Sequence, residues 1–329
     1  MRVITAKDLH NQRVLLRMDL DVPIADGRIL EDFRLKAGLP TLELCLQNAA
    51  SVVICGHIGR PKGQAVEDLS VAPIVNFIEA WYCDLELPAG RLHVLENLRF
   101  EKGEEDCDLD FAKELAKYGD IYINEAFAAH HQAASTTVIT KLLPSFAGLR
   151  FDYEVKVLTS VRETPKKPLV AIVGGAKVED KYPAIIALSK FCDAVLVGGL
   201  LPTKIKEGSL PVPENVILGK IASSGIDIDE TTIKAFEGVL QHAKQVIWGG
   251  PVGKYEEKEG NIGTLELAKA VLDTKAEVII GGGDSITALN KYLDQFSFVS
   301  TGGGAMLKLL CDGTLPTIQA LDESQASLT

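Results

Sequence analysis

Short apolar runs alternate with amphipathic stretches along most of the chain. In the first half, four such runs predict strands, at residues 13–20, 51–56, 91–96 and 120–125. Ser70 can cap a helix over 71–82. Asp108 or Asp110 can cap a second helix, over 111–118. Strands that alternate with helices in this way predict βα units and a parallel sheet.

In the second half, five apolar runs each end in consecutive glycines. They are LVAIVGG (169–175), AVLVGG (194–199), QVIWGG (245–250), EVIIGGG (277–283) and SFVSTGGG (297–304), and helical patterns follow several of them, at 179–190, 264–274 and 285–295. Ligands of open α/β sheets lie beyond the carboxyl ends of the strands, where glycine allows close backbone approach and helix N-termini favour anions. A single glycine pair indicates only a tight turn, but five in one half-chain favour a phosphate-rich ligand.

The pattern predicts an α/β protein with two βα domains, and 329 residues are enough for both. Residues 151–163 look helical, and TPKKP then interrupts the chain before the next strand. We therefore expect one domain over 1–150 and another over 151–329, joined by a linking helix at about 151–163. The polar residues 322–329 are expected to form a loose tail.

Charge narrows the class of ligand. The net charge of −11 disfavours nucleic acid, although local basic residues can still attract a small anion. Nine arginines lie in residues 1–150 and one, Arg162, lies beyond them. Because arginine suits bidentate recognition of carboxylate and phosphate, the two halves are expected to hold different ligands.

Cysteine usage and hydropathy bear on location. The six cysteines are widely spread, without a CxxC pair or a Cys/His cluster, so a disulfide framework or a metal cluster is not expected. No apolar signal core or membrane-length apolar stretch is present in the sequence. These features predict a cytoplasmic protein with reduced thiols and without a membrane partner.

Two motifs of the second half carry candidate chemistry. In GGAKVEDK (174–181), Lys177 and Lys181 are four residues apart and would share a helix face, where they could hold a polyphosphate or form a solvated basic face. Asp284 follows three glycines and could hold Mg²⁺ on a nucleotide or act as an ordinary N-cap. Gly302–Gly304 would direct bare N–H groups at an anion.

In the first half, HIGRP (57–61) follows a strand, and RMDLDVP (17–23), Arg34 and ENLRF (96–100) could converge with it. Several arginines at strand exits indicate capture of a small phosphorylated or carboxylated anion. Each arginine taken alone is better explained by a surface ion pair, and Asp19 or Asp21 could simply pair with a neighbouring arginine. No P-loop, HExxH or GxSxG motif occurs in the sequence. No GxGxxG motif opens a helix after the first strand, and this absence argues against an NAD-binding oxidoreductase.

These motifs, in this order, resemble the phosphoglycerate kinase family over nearly the whole chain. The resemblance rests on RMDLDVP, EDFR, GHIGRPKG, LENLRFEKGEE, NEAF, GGAKVEDK, WGGPVGKYE, GGGDS, STGGGA and LPTIQAL. It implies two doubly wound parallel-sheet (Rossmann-like) domains, joined by the linking helix, that face a cleft and close about a hinge. The first would bind 3-phosphoglycerate and the second Mg-ATP or Mg-ADP, for reversible phosphoryl transfer with 1,3-bisphosphoglycerate in glycolysis. It also implies a monomer.

The resemblance assigns roles to individual residues. On the substrate side it implies contacts from Asp19, Asp21, Arg34, His57, Arg60 and Arg99. Catalysis would involve Arg34, Lys177, Gly302, Gly303 and Gly304. The nucleotide would contact Lys177, Lys181, Gly198, Gly199, Pro251, Glu256, Gly283, Asp284 and Ser285, with Asp284 as the Mg²⁺ ligand.

The chain departs from the family pattern at several positions. Asp21 replaces a substrate-binding Asn, Gln132 replaces a phosphate-binding Arg, and Gly249 replaces an Asn near the phosphates. Asp229 and Glu230 interrupt the family's DIGPxT motif. The chain is also shorter than its relatives. These departures leave two alternatives open: a catalytically impaired nucleotide-binding homologue, and a related kinase that acts on another carboxylate.

Overall fold

The computed structural model describes residues 1–83 and 90–326. Contacts between residues divide the chain into two compact units. The first comprises Met1–Lys156 together with the C-terminal segment from Thr314 onward, and the second comprises Val157–Gly313. Within the described ranges, none of the helices is both long and apolar enough to cross a bilayer.

Parallel strands and the helices between them make up both units. The strands are β1 (Arg13–Arg17), β2 (Ile24–Ala25), β3 (Arg28–Ile29), β4 (Ser51–Cys55), β5 (Leu92–Val94), β6 (Ile121–Asn124), β7 (Ser145–Ala147), β8 (Leu169–Val173), β9 (Ala194–Val197), β10 (Val216–Leu218), β11 (Gln245–Gly249), β12 (Glu277–Gly281) and β13 (Phe298–Ser300). The helices are α1 (Ala6–Leu9), α2 (Phe33–Asn48), α3 (Ala72–Tyr82), α4 (Lys102–Glu105), α5 (Leu109–Ala116), α6 (Leu149–Glu163), α7 (Val178–Leu188), α8 (Leu201–Glu207), α9 (Glu230–Leu240), α10 (Ile262–Leu272), α11 (Gly283–Ala288), α12 (Gly303–Asp312) and α13 (Pro316–Ala326).

The first unit contains a parallel sheet with the strand order β5-β4-β1-β6-β7, and β2 pairs with β3 in a small hairpin. The order reverses at β1, as in a doubly wound fold. Arg17 at the end of β1 lies beside Cys55 of β4 and Asn124 of β6. The carboxyl ends of these three strands are therefore level, so the loops that follow them start from one edge of the sheet.

The second unit repeats this plan with the strand order β10-β9-β8-β11-β12-β13, all parallel. Its glycine-ended strands are in register: Gly249 pairs with Val173 on one side and Gly281 on the other. The sheet core is apolar on both faces, with Trp248 fully buried. The predicted fold class, two doubly wound parallel sheets, is confirmed.

The boundary between the units falls within α6, the helix that the sequence predicts as a linker. This helix begins where Glu125 receives hydrogen bonds from the backbone N–H groups of Arg150 (3.0 Å) and Phe151 (3.2 Å). Thr41 donates to the same carboxylate at 2.6 Å and accepts from the N–H of Leu149 at 2.9 Å. These residues cap the first turn of the helix.

The C-terminal residues differ from the expectation. The sequence assigns them to the second domain and predicts a loose tail from residue 322, whereas α13 groups with the first unit and continues to Ala326. Ile318 and Leu321 are buried there, and the N-terminal amino group of Met1 pairs with Asp322. Burial of these apolar side chains holds the helix, a non-local contact that local polarity does not reveal. Residues 327–329 lie outside the described residues.

Candidate active site

The loop that follows β4 is fixed through its backbone by side chains from other strand ends. Asn97 accepts from the N–H of Ile58 at 3.2 Å and donates to its carbonyl oxygen at 2.8 Å. Asp21 accepts from the N–H of Gly59 at 2.9 Å, and Arg99 donates to the Gly59 carbonyl at 2.8 Å. With Gly59 at φ +61°, a conformation that favours glycine, the loop has one defined path.

His57 is a neutral hydrogen-bond donor in this loop. Its Nδ1 lies 2.7 Å from Nη2 of Arg17. Because a guanidinium group only donates, Nδ1 must accept, and the ring proton is on Nε2. Burial, together with the positive charges of Arg17, Arg99, Arg34 and Arg60, lowers the pKa of His57 well below its usual range. The imidazole therefore stays uncharged at neutral pH.

Arg34 lies against two carboxylates. Its Nη1 donates to the main-chain carbonyl of Asp21 at 2.5 Å, and its Nε lies 3.8 Å from Oδ2 of Asp19. Burial raises the pKa of Asp19, whose Oδ2 has no hydrogen-bond partner among the described residues. That oxygen therefore has unused hydrogen-bonding capacity, although it is closed off from solvent in this structure. The prediction that Asp19 or Asp21 pairs with a neighbouring arginine is confirmed, since Arg34 forms ion pairs with both, whereas their contact with a substrate stays a prediction.

The first unit separates its arginines into two kinds. Arg13 forms an exposed ion pair with Asp120, as expected of a surface arginine. Arg34, Arg60 and Arg99 instead act electrostatically on one histidine, although Arg99 also pairs with Glu105 at 3.3 Å. Guanidinium groups gathered around a neutral N–H donor are suited to bind an anion.

In the second unit, a pocket of about 290 Å³ opens beside the glycine-ended strands. One part of its wall is apolar, formed by Ala176, Leu200, Ile221, Ile226 and Pro251, with Gly175, Gly199, Gly225 and Gly253. The other part is polar, formed by Lys254, Tyr255, Glu256 and Asp284. An apolar slot with polar groups at one side suits an aromatic base joined to a polar, charged tail.

The glycines are required by close approach of neighbouring strand ends. A Cβ at Gly174 would lie 2.1 Å from the carbonyl oxygen of Pro251. A Cβ at Gly199, which has φ +64°, would lie 2.5 Å from the carbonyl oxygen of Gly175. Any side chain at these positions would displace backbone that lines the pocket. The glycines therefore serve as tight turns and also shape the ligand site.

Asp284 presents the carboxylate that the sequence predicts for a metal. The hydroxyl of Tyr255 donates to its Oδ1 at 3.3 Å. Among the described residues no group of three or more His, Cys, Asp or Glu side chains could hold a metal ion. A single carboxylate at the pocket fits Mg²⁺ that arrives on nucleotide phosphates, since such ions take one or two carboxylates and keep phosphate and water ligands.

Three further predicted nucleotide-site residues, two lysines and one serine, differ in their exposure. Lys177 is exposed at the residue before α7. Burial lowers the pKa of Lys181, while Asp284 and Asp180 act to raise it. Ser285 is buried, and its Oγ accepts from the N–H of Gly250 at 2.9 Å. Its hydroxyl proton remains available as a donor.

The start of α12 packs tightly on the end of β12. A Cβ at Gly303 would lie 2.4 Å from the Cα of Gly282. Gly302 and Gly303 are buried, while Gly304 is exposed. The N–H groups of the first helical turn have no intrahelical acceptor and can bind an anion.

The structure brings one predicted set of site residues together fully and the other only in part. Asp19, Asp21, Arg34, His57, Arg60 and Arg99 form one cluster in the first unit. Among the predicted nucleotide residues, Gly199, Pro251, Glu256 and Asp284 line the pocket, whereas Lys177, Lys181, Gly198, Gly283 and Ser285 lie outside its lining. Sequence reasoning missed the walls from Ile221 and Ile226, because they stand in loops without a periodic pattern.

A family model described as phosphoglycerate kinase matches residues 4–209 and 211–313. The chain belongs to the phosphoglycerate kinase family. It is 36% identical to the phosphoglycerate kinase of Microcystis aeruginosa over 98% of each chain. It is 33% identical to that of Leptospira biflexa, covering 97% of this chain and 98% of the relative.

Solved phosphoglycerate kinases share the fold. The Coxiella burnetii structure matches 96% of this chain at 30% identity with a TM-score of 0.77. The Pyrococcus horikoshii structure matches 99% at 27% identity with a TM-score of 0.86. The alignment with the Leptospira protein spans 386 positions although this chain has only 329 residues, so the alignment places gaps in this chain.

The departures from the phosphoglycerate kinase pattern have specific structural settings. Gln132 is exposed in a groove of about 500 Å³ that Cys107 and Lys141 also line. Gly249 ends β11, and a Cβ there would lie 3.1 Å from the side chain of Leu307. Asp229 accepts from the N–H of Thr232 at 2.7 Å and so caps α9. Asp229 and Glu230 therefore start a helix and do not line the pocket.

Proposed function

We propose that the chain catalyses reversible, Mg²⁺-dependent phosphoryl transfer between 1,3-bisphosphoglycerate with ADP and 3-phosphoglycerate with ATP. The observation that carries this proposal is the family match over nearly the whole chain, which spans both units. The first unit keeps arginines around a neutral His57. The second keeps a pocket with Asp284 at its polar side.

In the proposed reaction, 3-phosphoglycerate binds to the first unit. Arg34, Arg60 and Arg99 attract its anionic groups, and the Nε2–H of His57 donates a hydrogen bond to one of them. The unpartnered Oδ2 of Asp19 accepts from the substrate hydroxyl. These contacts bind and orient the acceptor, which is how most of the rate enhancement in phosphoryl transfer arises.

In the second unit, the adenine ring fits between the apolar walls of the pocket, and Glu256 binds the ribose. Lys181, Ser285 and the amide of Gly283 hold phosphate oxygens. Asp284 would hold Mg²⁺ on those phosphates. When bound, the ion neutralises charge on the nucleotide phosphates.

The acceptor carboxylate needs no general base, because it is already ionised at pH 7. Lys177, the N–H groups of Gly303 and Gly304, and Arg34 stabilise the charge that spreads over the transferred group. Since this charge is greatest in the transition state, these donors act on turnover more than on ground-state binding.

The compartment and oligomeric state complete the proposal. All six cysteines are free, which suits the reducing cytoplasm. One chain carries both sets of ligand-binding residues, so a monomer suffices for the reaction. Gel filtration of the purified chain checks the monomer, with elution at the size of 35.5 kDa expected.

A coupled assay with 3-phosphoglycerate and ATP, run beside calorimetry with ADP, tests the function. We expect turnover and ADP binding together. Gln132→Arg restores the guanidinium of the family pattern and is expected to lower KM for 3-phosphoglycerate without changing KM for ATP. Gln241→Arg, at an exposed position of the second unit, is the matched control.

A kinase for another carboxylate is the second candidate, and it is favoured by the carboxylate of Asp21 in the acceptor site. This candidate would be supported if one compound in a panel of hydroxycarboxylates had a lower KM than 3-phosphoglycerate. ADP binding without turnover of any acceptor would instead identify a nucleotide-binding homologue and would contradict the proposed function.

A further inference from the structure

Arg17 is charged and yet almost fully buried, with 1% of its surface exposed. Its Nε donates to Oγ of Ser135 at 3.0 Å, its Nη1 to the carbonyl of Met18 at 2.7 Å and its Nη2 to Nδ1 of His57 at 2.7 Å. A buried guanidinium is tolerated when its donors are satisfied and its charge is compensated. Each nitrogen of the guanidinium group donates a hydrogen bond here. The compensating negative charge lies on the other side of Ser135 in this hydrogen-bond network.

That charge is Glu104, which is 2% exposed. Its carboxylate accepts from Oγ of Ser135 at 2.6 Å and from the N–H of Ser135 at 3.0 Å. Tyr122 donates to the carbonyl of Ser135 at 2.7 Å and fixes its main chain. Since the Ser135 hydroxyl has one proton, which goes to Glu104, its oxygen accepts from Arg17. The direction of every hydrogen bond from Glu104 to His57 is therefore determined.

We propose that Glu104, Ser135 and Arg17 form a positioning relay that holds His57 in its Nε2–H tautomer and so keeps it a fixed donor to the anionic substrate. The identity of that anion rests on the proposed function, but the tautomer does not. None of the three relay residues needs to touch the substrate. They act through His57, and we regard them as positioning residues.

The other charges around the ring cannot replace the relay. Arg34, Arg60 and Arg99 face His57 and disfavour its charged form, but a nearby cation does not choose between the two neutral tautomers. On the far side, Asp19 interacts electrostatically with Arg17, and the buried Cys55 thiol interacts with both Arg17 and Glu104. The Arg17–Nδ1 hydrogen bond is the interaction that selects the nitrogen carrying the proton.

The relay can be tested by ¹⁵N NMR of the histidine rings, which is practicable because the chain has six histidines. In the full-length parent we expect an unprotonated Nδ1 and a protonated Nε2 at His57, unchanged between pH 6 and pH 8. Glu104→Gln removes the compensating charge, and Ser135→Ala removes the central hydroxyl. In both variants we expect the two ring nitrogens to move toward exchange-averaged values.

The kinetic expectation is a split between binding and turnover. KM for 3-phosphoglycerate should rise about 10-fold in both variants, in keeping with a weakened hydrogen bond to a charged group. The KM for ATP and kcat should stay within a factor of about two, since the nucleotide side is untouched. Glu114→Gln, at an exposed residue of α5 that pairs with Lys117, is the matched control and should change none of these values.

Two results would overturn the relay. One is a ¹⁵N spectrum of the parent in which Nδ1 of His57 carries the proton. This measurement requires neither a variant nor an active enzyme. The other is a pair of variants that lose thermal stability while the His57 nitrogens and KM for 3-phosphoglycerate stay at parent values, which would indicate a purely structural role. An inactive parent with the expected spectrum would contradict the proposed function and leave the relay supported.

Discussion

Asp21 Oδ1 accepts a hydrogen bond from the backbone N–H of Gly59 at 2.9 Å. The Asp21 carboxylate, in the proposed site for 3-phosphoglycerate, thus orders the loop that carries His57 and Arg60. Its second oxygen, Oδ2, lies 3.7 Å from Nη1 of Arg34. Asp21 therefore has a structural role in the site, but its negative charge opposes an anionic ligand.

Asp21→Asn should strengthen binding of 3-phosphoglycerate. The amide oxygen can keep the hydrogen bond from Gly59, while the amide nitrogen offers a new donor and the negative charge is removed. We expect KM for 3-phosphoglycerate to fall about 10-fold, the scale of one hydrogen bond to a charged group. Asp26→Asn, in the β2–β3 turn, changes net charge equally and should leave KM unchanged. A rise in KM for Asp21→Asn would refute this description of the site.

Gly174→Ala should damage the nucleotide pocket. The new Cβ would meet the carbonyl oxygen of Pro251 at 2.1 Å, so backbone at the end of β8 must shift. We expect a loss of about 1–3 kcal/mol in stability, the usual cost of overpacking, and weaker ADP binding by calorimetry. Gly238→Ala is the matched control because nothing lies within 4 Å of its Cβ, and in mid-helix it should stabilise by about 0.5–1 kcal/mol. Equal ADP affinity in both variants would contradict the proposed pocket.

His57 should make stability depend on pH in the acid range. Its pKa is lower in the folded chain than in the unfolded chain, so below about pH 6.5 the unfolded state binds a proton that the folded state does not. The contribution is nil above that pH and becomes destabilising as pH falls. The side chain of His57→Gln is neutral, like the ring of the folded parent. The difference in Tm between this variant and the parent should therefore shift in favour of the variant as pH falls from 7 to 5. His242→Gln, an exposed control, should show no such gain. Parallel Tm curves for parent and His57→Gln would contradict the assignment.

The sequence indicated the strands that carry the site because each ends in a chemical signal as well as an apolar run. Glycine marks the ends of β8, β11 and β12, and HIGRP follows β4. The strands it missed, β2, β3, β7 and β10, are only two or three residues long, which is too short for a period to emerge. Burial of α13 with the first unit depends on contacts across the whole chain, which a local pattern does not contain.

Part of the candidate site could also be predicted from the sequence. The arginine cluster could be anticipated, since parallel strands bring their carboxyl ends to one edge. The relay behind His57 could not, because Glu104 lies in a short helix and Ser135 in a π-helical turn after β6, and no spacing rule connects them with Arg17. The apolar walls of the pocket also arise from residues that are close only in the folded chain.

The most direct measurement is the turnover of Lys177→Ala with 3-phosphoglycerate and ATP, beside calorimetric affinity for ADP. Lys190→Ala, at an exposed position after the other end of α7, is the matched control. If Lys177 stabilises the moving phosphoryl group, kcat falls at least about 100-fold while ADP affinity changes little, and the control retains parent values. Parent-like kcat in Lys177→Ala would contradict the account.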